Sequence, residues 1–548
     1  MLSGRIRVVL AIALFIGLFL LAAGALALLF IPKFINDQVL KQDFLGMDER
    51  NGTLVPNEMT RKWIHPPYDM RLHIWMYSVE NEKEYLAGKE KLRLSQKGPY
   101  TFVEDQEKQY EFEANDTRIV YTNNHRYIFN QSLSCAKCHL SDKVTIPNVV
   151  FQKLVDFAEQ NWAYKLAIES VLAFERRESP FLTITVGEAL FQGYDDPLIS
   201  AICDSSVLKF ICDLGKIPKK IGFFYGQNNS IDGTYEVGTG QNGSWTLGHV
   251  YKWNKLTTLP DSYWESPYAR MLNGTDGQLF APLLQKDKEL VLFASQACRS
   301  VRMAYTKDSE YEGVSAWRFS PPKSMYDPSL PENKIFCHLN DTITYFENAT
   351  VQHPGCLPAG MLDLSHCQPG NPRVYLSQAH FLDSPKEVWS SIDGLDVPTE
   401  ENDLTYVDIE PTSGVPVWAK RVMQVNVGMF KGKDRNLIVP VFFVKQTISC
   451  NTVHFVLKNT QNLIVPVFWV NETASFDEGT RDQLLNQLQA AKHISFIGGI
   501  AALIIGLLLI AGVILTIILD FALSDHHDED DEPLVNEEEA ERGEENAE

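Results

Sequence analysis

Two uninterrupted apolar runs, one toward each end of the chain, constrain everything between them. Ile494 to Leu519 holds 26 residues without a charge, between Lys492 and His493 on one side and Asp520 on the other. As a helix rising about 1.5 Å per residue, it outspans a hydrocarbon core of roughly 30 Å. Gly498, Ala502 and Gly506 recur every fourth residue, a stripe that lets a neighbouring membrane helix approach closely. The plainer alternative is that glycine is common in spanning helices. Val8 to Pro32 is a second such run, entered through Arg5 and Arg7, and it is too long for the usual cleaved secretory signal. Two spans near the two ends put both tails on one side. The expected plan is an N-terminal tail at 1–7, transmembrane helices at 8–32 and 494–519, an ectodomain at 33–493 and a C-terminal tail at 520–548.

Sidedness follows from three patterns. Basic residues flanking a span favour the cytoplasm, and Arg5 and Arg7 lie outside the first run. The loop between the runs carries nine N-x-Ser/Thr sequons, at Asn51, Asn115, Asn130, Asn228, Asn242, Asn273, Asn340, Asn348 and Asn471. One or two would be chance; nine on one side of both runs read as a glycosylated lumenal or extracellular surface. All nine cysteines lie in the same loop, as expected where disulfides persist. Both tails are therefore expected to be cytoplasmic. The formal charge is -21, and from Asp520 onward 14 acidic residues face one arginine. That tail reads as solvated disorder. The acidic excess and the lack of a basic stripe argue against nucleic acid as a partner. Within the tail, Asp530 stands four residues before Leu534-Val535, close to an acidic dileucine sorting signal for adaptor proteins; plain acidic disorder is the alternative.

Between Trp63 and Val144 short apolar pieces alternate with turn residues, as in Met70 to Val79, and read as antiparallel strands. From Pro147 to Phe174 there is neither glycine nor proline, and Val150, Phe151, Leu154, Val155, Ala158, Trp162 and Leu166 mark a helical stripe. Pro147 suits the first helical turn and Pro180 ends the run. The stripe is wide, which fits either a helix buried on two sides or an exposed apolar binding patch. Thr185 and Glu188 form a capping box for a short helix through Phe191, and Asp196-Pro197 opens another toward Phe210. Strand texture returns at Phe223 and persists to Val470. The expected fold is α+β: an antiparallel β core bearing a helical cap at about 147–212.

Asn436-Leu-Ile-Val-Pro-Val-Phe-Phe-Val444 reappears as Asn462-Leu-Ile-Val-Pro-Val-Phe-Trp-Val470. Two readings stand, a duplicated segment from two retained exons or a hairpin of two similar strands. Cys135-Ala-Lys-Cys138-His139 matches the haem-attachment pattern C-x-x-C-H, but nothing else resembles a small cytochrome, and structural disulfides are the expectation. Gly238-Thr-Gly240-Gln-Asn-Gly243 joins two strand-like pieces rather than opening a helix, so it reads as a hairpin loop and not a dinucleotide site. No P-loop, metalloprotease helix or nucleophile elbow is present, and neither an enzyme, a metal nor a cofactor is expected.

The cysteines read as staples. Cys298, Cys337, Cys356 and Cys367 cluster in the second half, where cross-links between loops gain most. Cys135, Cys138, Cys203 and Cys212 flank the helical stretch. On one unbroken helix Cys203 and Cys212 would stand about 13 Å apart, beyond disulfide reach. Either the helix breaks between them or each pairs elsewhere, with Cys135 or Cys138 among the partners. Cys450 is left over and lies within the duplicated segment, which fits an addition to a framework of eight cysteines.

Several stretches resemble the class B scavenger receptors, the group that includes fatty-acid translocase and the lysosomal integral membrane proteins. They include Trp63-Ile-His-Pro-Pro67, Gly98-Pro-Tyr-Thr101, Val186 to Pro197, Met271-Leu-Asn-Gly-Thr-Asp276, Cys298-Arg-Ser300, Tyr406 to Gly414, Ala419 to Asn426 and Ile464 to Glu472. The resemblance implies a β-barrel-like core with a lipid-conducting tunnel, capped by a ligand-binding helical bundle. It implies Cys298–Cys367 and Cys337–Cys356 pairs, and a third family pair missing where Ala269 stands. Phe151, Leu154 and Trp162 of the apolar stripe are candidate ligand contacts in the cap, and the resemblance adds Lys165, Arg176 and Arg177, with Glu175 and Glu178 beside them weakening anion capture. The cap histidine that hydrolase-carrying relatives use as a pH switch has no counterpart between His139 and His249. The expected protein is a receptor and transporter for fatty acids, sterols, phospholipids or lipoproteins at the plasma membrane or in endolysosomes, with homo-oligomers through its transmembrane helices. A sorting receptor for a soluble hydrolase is the runner-up. A two-span ion channel fits poorly, because neither run carries a charge to line a pore.

Overall fold

The computed structural model describes residues 3–160, 179–204, 206, 209–215, 218, 220–341, 343–430 and 461–529. Trp162, Lys165, Arg176, Arg177, Cys450, the 436–444 copy of the repeat, Asp530, Leu534 and Val535 lie outside the described residues. The chain divides into two compact units, residues 1–38 with 482–548, and residues 39–481.

The first unit is built on two helices, Gly4–Gln42 and Ala490–Glu529. Both are long and apolar enough to cross a membrane, and both run past the apolar limits read from sequence. Their backbones meet at glycines. A Cβ on Gly17 would lie 2.8 Å from Ile510 and 3.1 Å from the Gly506 carbonyl oxygen; one on Gly24 would lie 2.7 Å from that of Gly499. Gly498, placed on the packing stripe by the sequence reading, faces open space. The reason is angular: seven residues return to within about 20° of the same face, whereas the eight from Gly498 to Gly506 overshoot by about 80°.

In the second unit thirteen strands form one antiparallel sheet. In chain order they are β1 (Tyr68–Val79), β2 (Leu94–Glu113), β3 (Arg118–Phe129), β4 (Ser230–Gly238), β5 (Val250–Trp253), β6 (Leu290–Ala294), β7 (Arg299–Tyr311), β8 (Val314–Ser320), β9 (Met361–Asp363), β10 (Val374–Ser377), β11 (Tyr406–Ile409), β12 (Pro416–Met429) and β13 (Leu463–Phe476). The spatial order is β5-β4-β3-β2-β1-β13-β12-β11-β8-β7-β6, with β10 also on β12 and β9 on β10. The described copy of the repeat thus supplies a strand between β1 and β12.

The two edges are bridged by Thr275, which pairs with His249 beside β5 and with Leu292 of β6. Val250 N donates to the Gly274 carbonyl at 2.9 Å and Phe293 N to that of Thr275 at 2.8 Å. Bridged in this way, the sheet is nearly closed and barrel-like. Gly274 sits at φ +82°, and a Cβ there would fall 1.9 Å from the Val291 carbonyl oxygen, so only glycine lets the seam come this close.

The helical insert begins one step later than the sequence suggests. Pro147 ends a short strand, Lys143–Pro147, paired with Phe181–Thr185, because that ladder holds Pro147 extended. The helix is Val149–Gln160, and Asn148 Oδ1 caps it by accepting from Phe151 N at 3.0 Å. The Thr185–Glu188 capping box is reciprocal, Thr185 N to Glu188 Oε2 at 2.8 Å and Glu188 N to Thr185 Oγ1 at 3.2 Å. Pro197–Cys203 and Lys209–Gly215 are separate helices, and a disulfide joins Cys203 to Cys212 across the break. Further disulfides join Cys135 to Cys138, Cys298 to Cys367 and Cys337 to Cys356. After the glycine-rich loop, Trp245 stands in a short helical turn, and the partner strand starts only at Val250.

Candidate functional site

Strands β2 and β3 place alternate side chains inside the barrel. Their register sets Phe102 opposite Phe129, Glu104 opposite Tyr127, Gln106 opposite His125, Lys108 opposite Asn123 and Tyr110 opposite Tyr121. The inner face therefore reads apolar, polar, aromatic along its length. One apolar cluster, with Leu72, Ile74, Phe102 and Phe468, packs under the helical insert, and another, with Leu45, Trp63, Ile119 and Val237, lies at the far end. A belt of titratable groups separates them.

The belt has two levels. In the first, Arg421 on β12 lies opposite Glu472 on β13, and its Nε donates to Glu472 Oε2 at 3.0 Å. Burial raises the Glu472 carboxyl above its ordinary range in spite of Arg421. Glu104 Oε1 contacts His125 Nδ1 at 2.8 Å and accepts from Gln106 Nε2 at 2.8 Å. Burial pushes Glu104 up, but those two contacts and the charges of His125 and Arg421 hold it below the usual value. Arg421 and Glu472 are densely surrounded by barrel residues, yet 40% and 23% of their side-chain surfaces remain accessible.

In the second level the groups are drier and less well matched. Lys108 is 3% exposed, and its Nζ has no hydrogen-bond partner. It lies 5.3 Å from the centre of the Trp63 ring. Burial pulls its ammonium from 10.5 to about 8, against the opposing pull of Asp276, Asp232 and Glu104. Tyr121 OH donates to Asp276 Oδ2 at 2.6 Å, and Tyr235 OH to Asp232 Oδ2 at 3.0 Å. Burial raises Asp276, and the Tyr121 hydrogen bond, the Gln278 amide and Lys108 only partly offset it. Asn123 Oδ1, Trp63 Nε1, Glu104 Oε2 and Asp232 Oδ1 are also buried without a partner. Such groups normally find partners in a solid core. Among the described residues no three His, Cys, Asp or Glu side chains converge to hold a metal.

Of the ligand contacts picked from sequence, the two described residues fall elsewhere. Phe151 and Leu154 are 0% and 2% exposed and pack with Val150, Val155, Ile199 and Phe430; as placed, both fasten the helix to the barrel. Of the sequon asparagines, Asn51, Asn115, Asn228, Asn242, Asn340 and Asn348 are exposed, while Asn130, Asn273 and Asn471 are half-buried. The belt escaped the sequence reading, although Trp63, Asp276, Arg421 and Glu472 all lie in the family-like stretches. For Arg421 and Glu472, a charge set among apolar strand residues is the signal that could have found them.

The CD36 family model matches residues 15–517. The scavenger receptor class B member 1 of Rattus norvegicus is 28% identical over 444 residues, covering 79% of this chain and 79% of the relative. Lysosome membrane protein 2 of Mus musculus is 28% identical over 442 residues, covering 78% of this chain and 85% of the relative. An uncharacterised protein of Caenorhabditis elegans is 30% identical over 424 residues, covering 70% of this chain and 78% of the relative. With a family match over nearly its whole length, a nearly closed antiparallel barrel in one unit and two long apolar helices in the other, this chain belongs to the CD36 family.

Proposed function

We propose that the protein is a class B scavenger receptor-type lipid receptor that takes lipid or lipoprotein ligands at its helical cap. It passes lipid through the barrel interior to the membrane. One observation carries this reading: Arg421 and Glu472 keep accessible surface while strands enclose them, which supports room inside the barrel rather than a solid core. The energetic logic agrees, since exposing lipid to water costs about 0.8 kcal/mol per CH₂, and an enclosed path avoids that. A relative named scavenger receptor supports a receptor rather than an enzyme. A relative named lysosome membrane protein, with the Asp530–Val535 motif, supports traffic to endolysosomes with both tails cytoplasmic.

The test is lipid delivery by the full-length protein in liposomes, offered labelled sterol or fatty acid on donor particles. Delivery above protein-free liposomes is expected, and its absence overturns the passage reading. Leu534→Ala with Val535→Ala is expected to shift the protein toward the cell surface; an unchanged distribution removes the sorting signal.

A further inference from the structure

Arg299 opens β7 directly after Cys298, and it is 5% exposed. Arginine is almost never this buried without a charge partner. Yet among the described residues its side chain has no ion pair, and its Nε has no hydrogen-bond partner. Its guanidinium carbon lies 3.3 Å from the centre of the Phe336 ring, a contact that favours the charge but uses none of the five N–H donors. Burial pulls Arg299 down to about 9; Tyr326 opposes the fall and Arg302 adds to it. Burial also raises Tyr326, which is therefore neutral at pH 7, so no anion acts on this guanidinium.

The arginine faces usable space. A cavity of about 40 Å³, partly open to solvent, has Arg299, Tyr326, Phe336, Cys337, Gly355 and Asp363 in its wall, with mostly apolar side chains between them. A single water needs about 10–15 Å³, so there is room for a few waters or for one compact ion. Two disulfides fix the wall. Cys337 is bonded to Cys356, next to Gly355, and Cys298, next to Arg299, is bonded to Cys367. Asp363 does not answer the arginine: its Oδ1 accepts from Ser365 N at 2.8 Å, and its Oδ2 lies 3.9 Å from His338 Nε2.

A small monovalent anion has the matching chemistry. It supplies the one negative charge that the guanidinium lacks, where burial leaves the attraction weakly screened. A divalent anion would meet repulsion from Asp363 in the same wall, and a neutral solute would leave the cation unmatched. We propose that this cavity is an anion site in which Arg299 holds chloride, an ion little larger than water. The site shares no residue with the belt and does not depend on lipid passage.

The experiment uses detergent-solubilised full-length protein at an ionic strength of about 150 mM, supplied as sodium chloride or as sodium gluconate, whose anion is too large for the cavity. Unfolding in urea is followed by tryptophan fluorescence. Chloride should slow it about fivefold relative to gluconate, the factor for one site with a Kd of about 40 mM. Bromide should act like chloride, and sulfate less than either. Arg299→Met should abolish the difference between the salts, while Arg302→Met should keep it. Because Arg299→Met removes an unpaired buried charge, it should unfold no faster than wild type in gluconate, which separates lost binding from a lost fold. In crystals soaked with bromide, anomalous diffraction should place the ion beside Arg299. Equal unfolding of wild type in chloride and gluconate, or a difference that persists in Arg299→Met, overturns the proposal. Should that variant fail to fold, the soak decides: no bromide beside Arg299 overturns the site.

Discussion

Arg421 and Lys108 stand on the inner surface of one barrel, and the strands beside them treat the two cations in opposite ways. Arg421 has Glu472 directly across the ladder, and its guanidinium is held charged more firmly than usual; burial opposes this, but the charge of and hydrogen bond to Glu472 prevail. Lys108 has an amide across from it, and its ammonium is held less firmly. A paired charge holds a wall together, whereas a buried unpaired one costs stability in every moment that nothing visits it. The unpaired level is therefore the one that removal of its charge should relieve.

Substitution should expose this contrast as a difference in sign. Lowering an ammonium from 10.5 to about 8, at about 1.36 kcal/mol per pH unit, costs at most about 3 kcal/mol. Lys108→Met keeps the chain length and removes the charge, so at pH 7 it should stabilise the barrel by up to that amount in chemical denaturation. The pH dependence identifies the source. Between about 8 and 10.5 the unfolded lysine binds a proton that the folded one has released, so wild-type stability rises with pH there. The advantage of Lys108→Met should shrink across that window and vanish above it. A constant advantage would mean that packing, not charge, is responsible.

Arg421→Met should act in the other direction, leaving Glu472 with no partner and Glu104 nearby. Breaking a fully dry pair costs about 3–5 kcal/mol. Arg421 keeps 40% of its side-chain surface accessible, so about 2 kcal/mol of destabilisation is expected after screening. Denaturation midpoints of this variant and of Lys108→Met should move apart from wild type; movement in the same direction would dissolve the distinction between the two levels.

How much of this could be read from the sequence depends on what breaks a period. The two terminal helices announce themselves because a long apolar run has few other homes. The antiparallel core shows through β1, where apolar and polar residues alternate. The belt does not, because on β2 the inner Glu104, Gln106 and Lys108 alternate with the outer Asp105, Glu107 and Gln109. With both faces polar, no pattern says which one is enclosed. Asp232 and Asp276 reach the belt through topology alone, one from a strand irregularity and one from the segment that bridges the edges. The seam itself reads only as a sequon at Asn273 inside the family-like stretch Met271–Asp276, since nothing local reveals that the next two residues close a sheet.

Tyr121 tests the boundary between the levels, and its effect should be the smallest. Its hydroxyl donates to Asp276, a contact that, like Tyr235 on Asp232, resembles the paired level. Tyr121→Phe removes a hydrogen bond to a charged acceptor without opening a cavity, a loss of about 1.5 kcal/mol at pH 7. Without that donor the Asp276 carboxyl, already raised by burial, should rise further. A neutral Asp276 makes the bond only a neutral one, so the penalty should be smaller at pH 4 than at pH 7, and below about 1 kcal/mol wherever the carboxyl is protonated. Denaturation of wild type and Tyr121→Phe at the two pH values measures this directly. A penalty of about 1.5 kcal/mol at both pH values would mean that Asp276 stays ionised at pH 4, and one below about 1 kcal/mol at both that it is already neutral at pH 7.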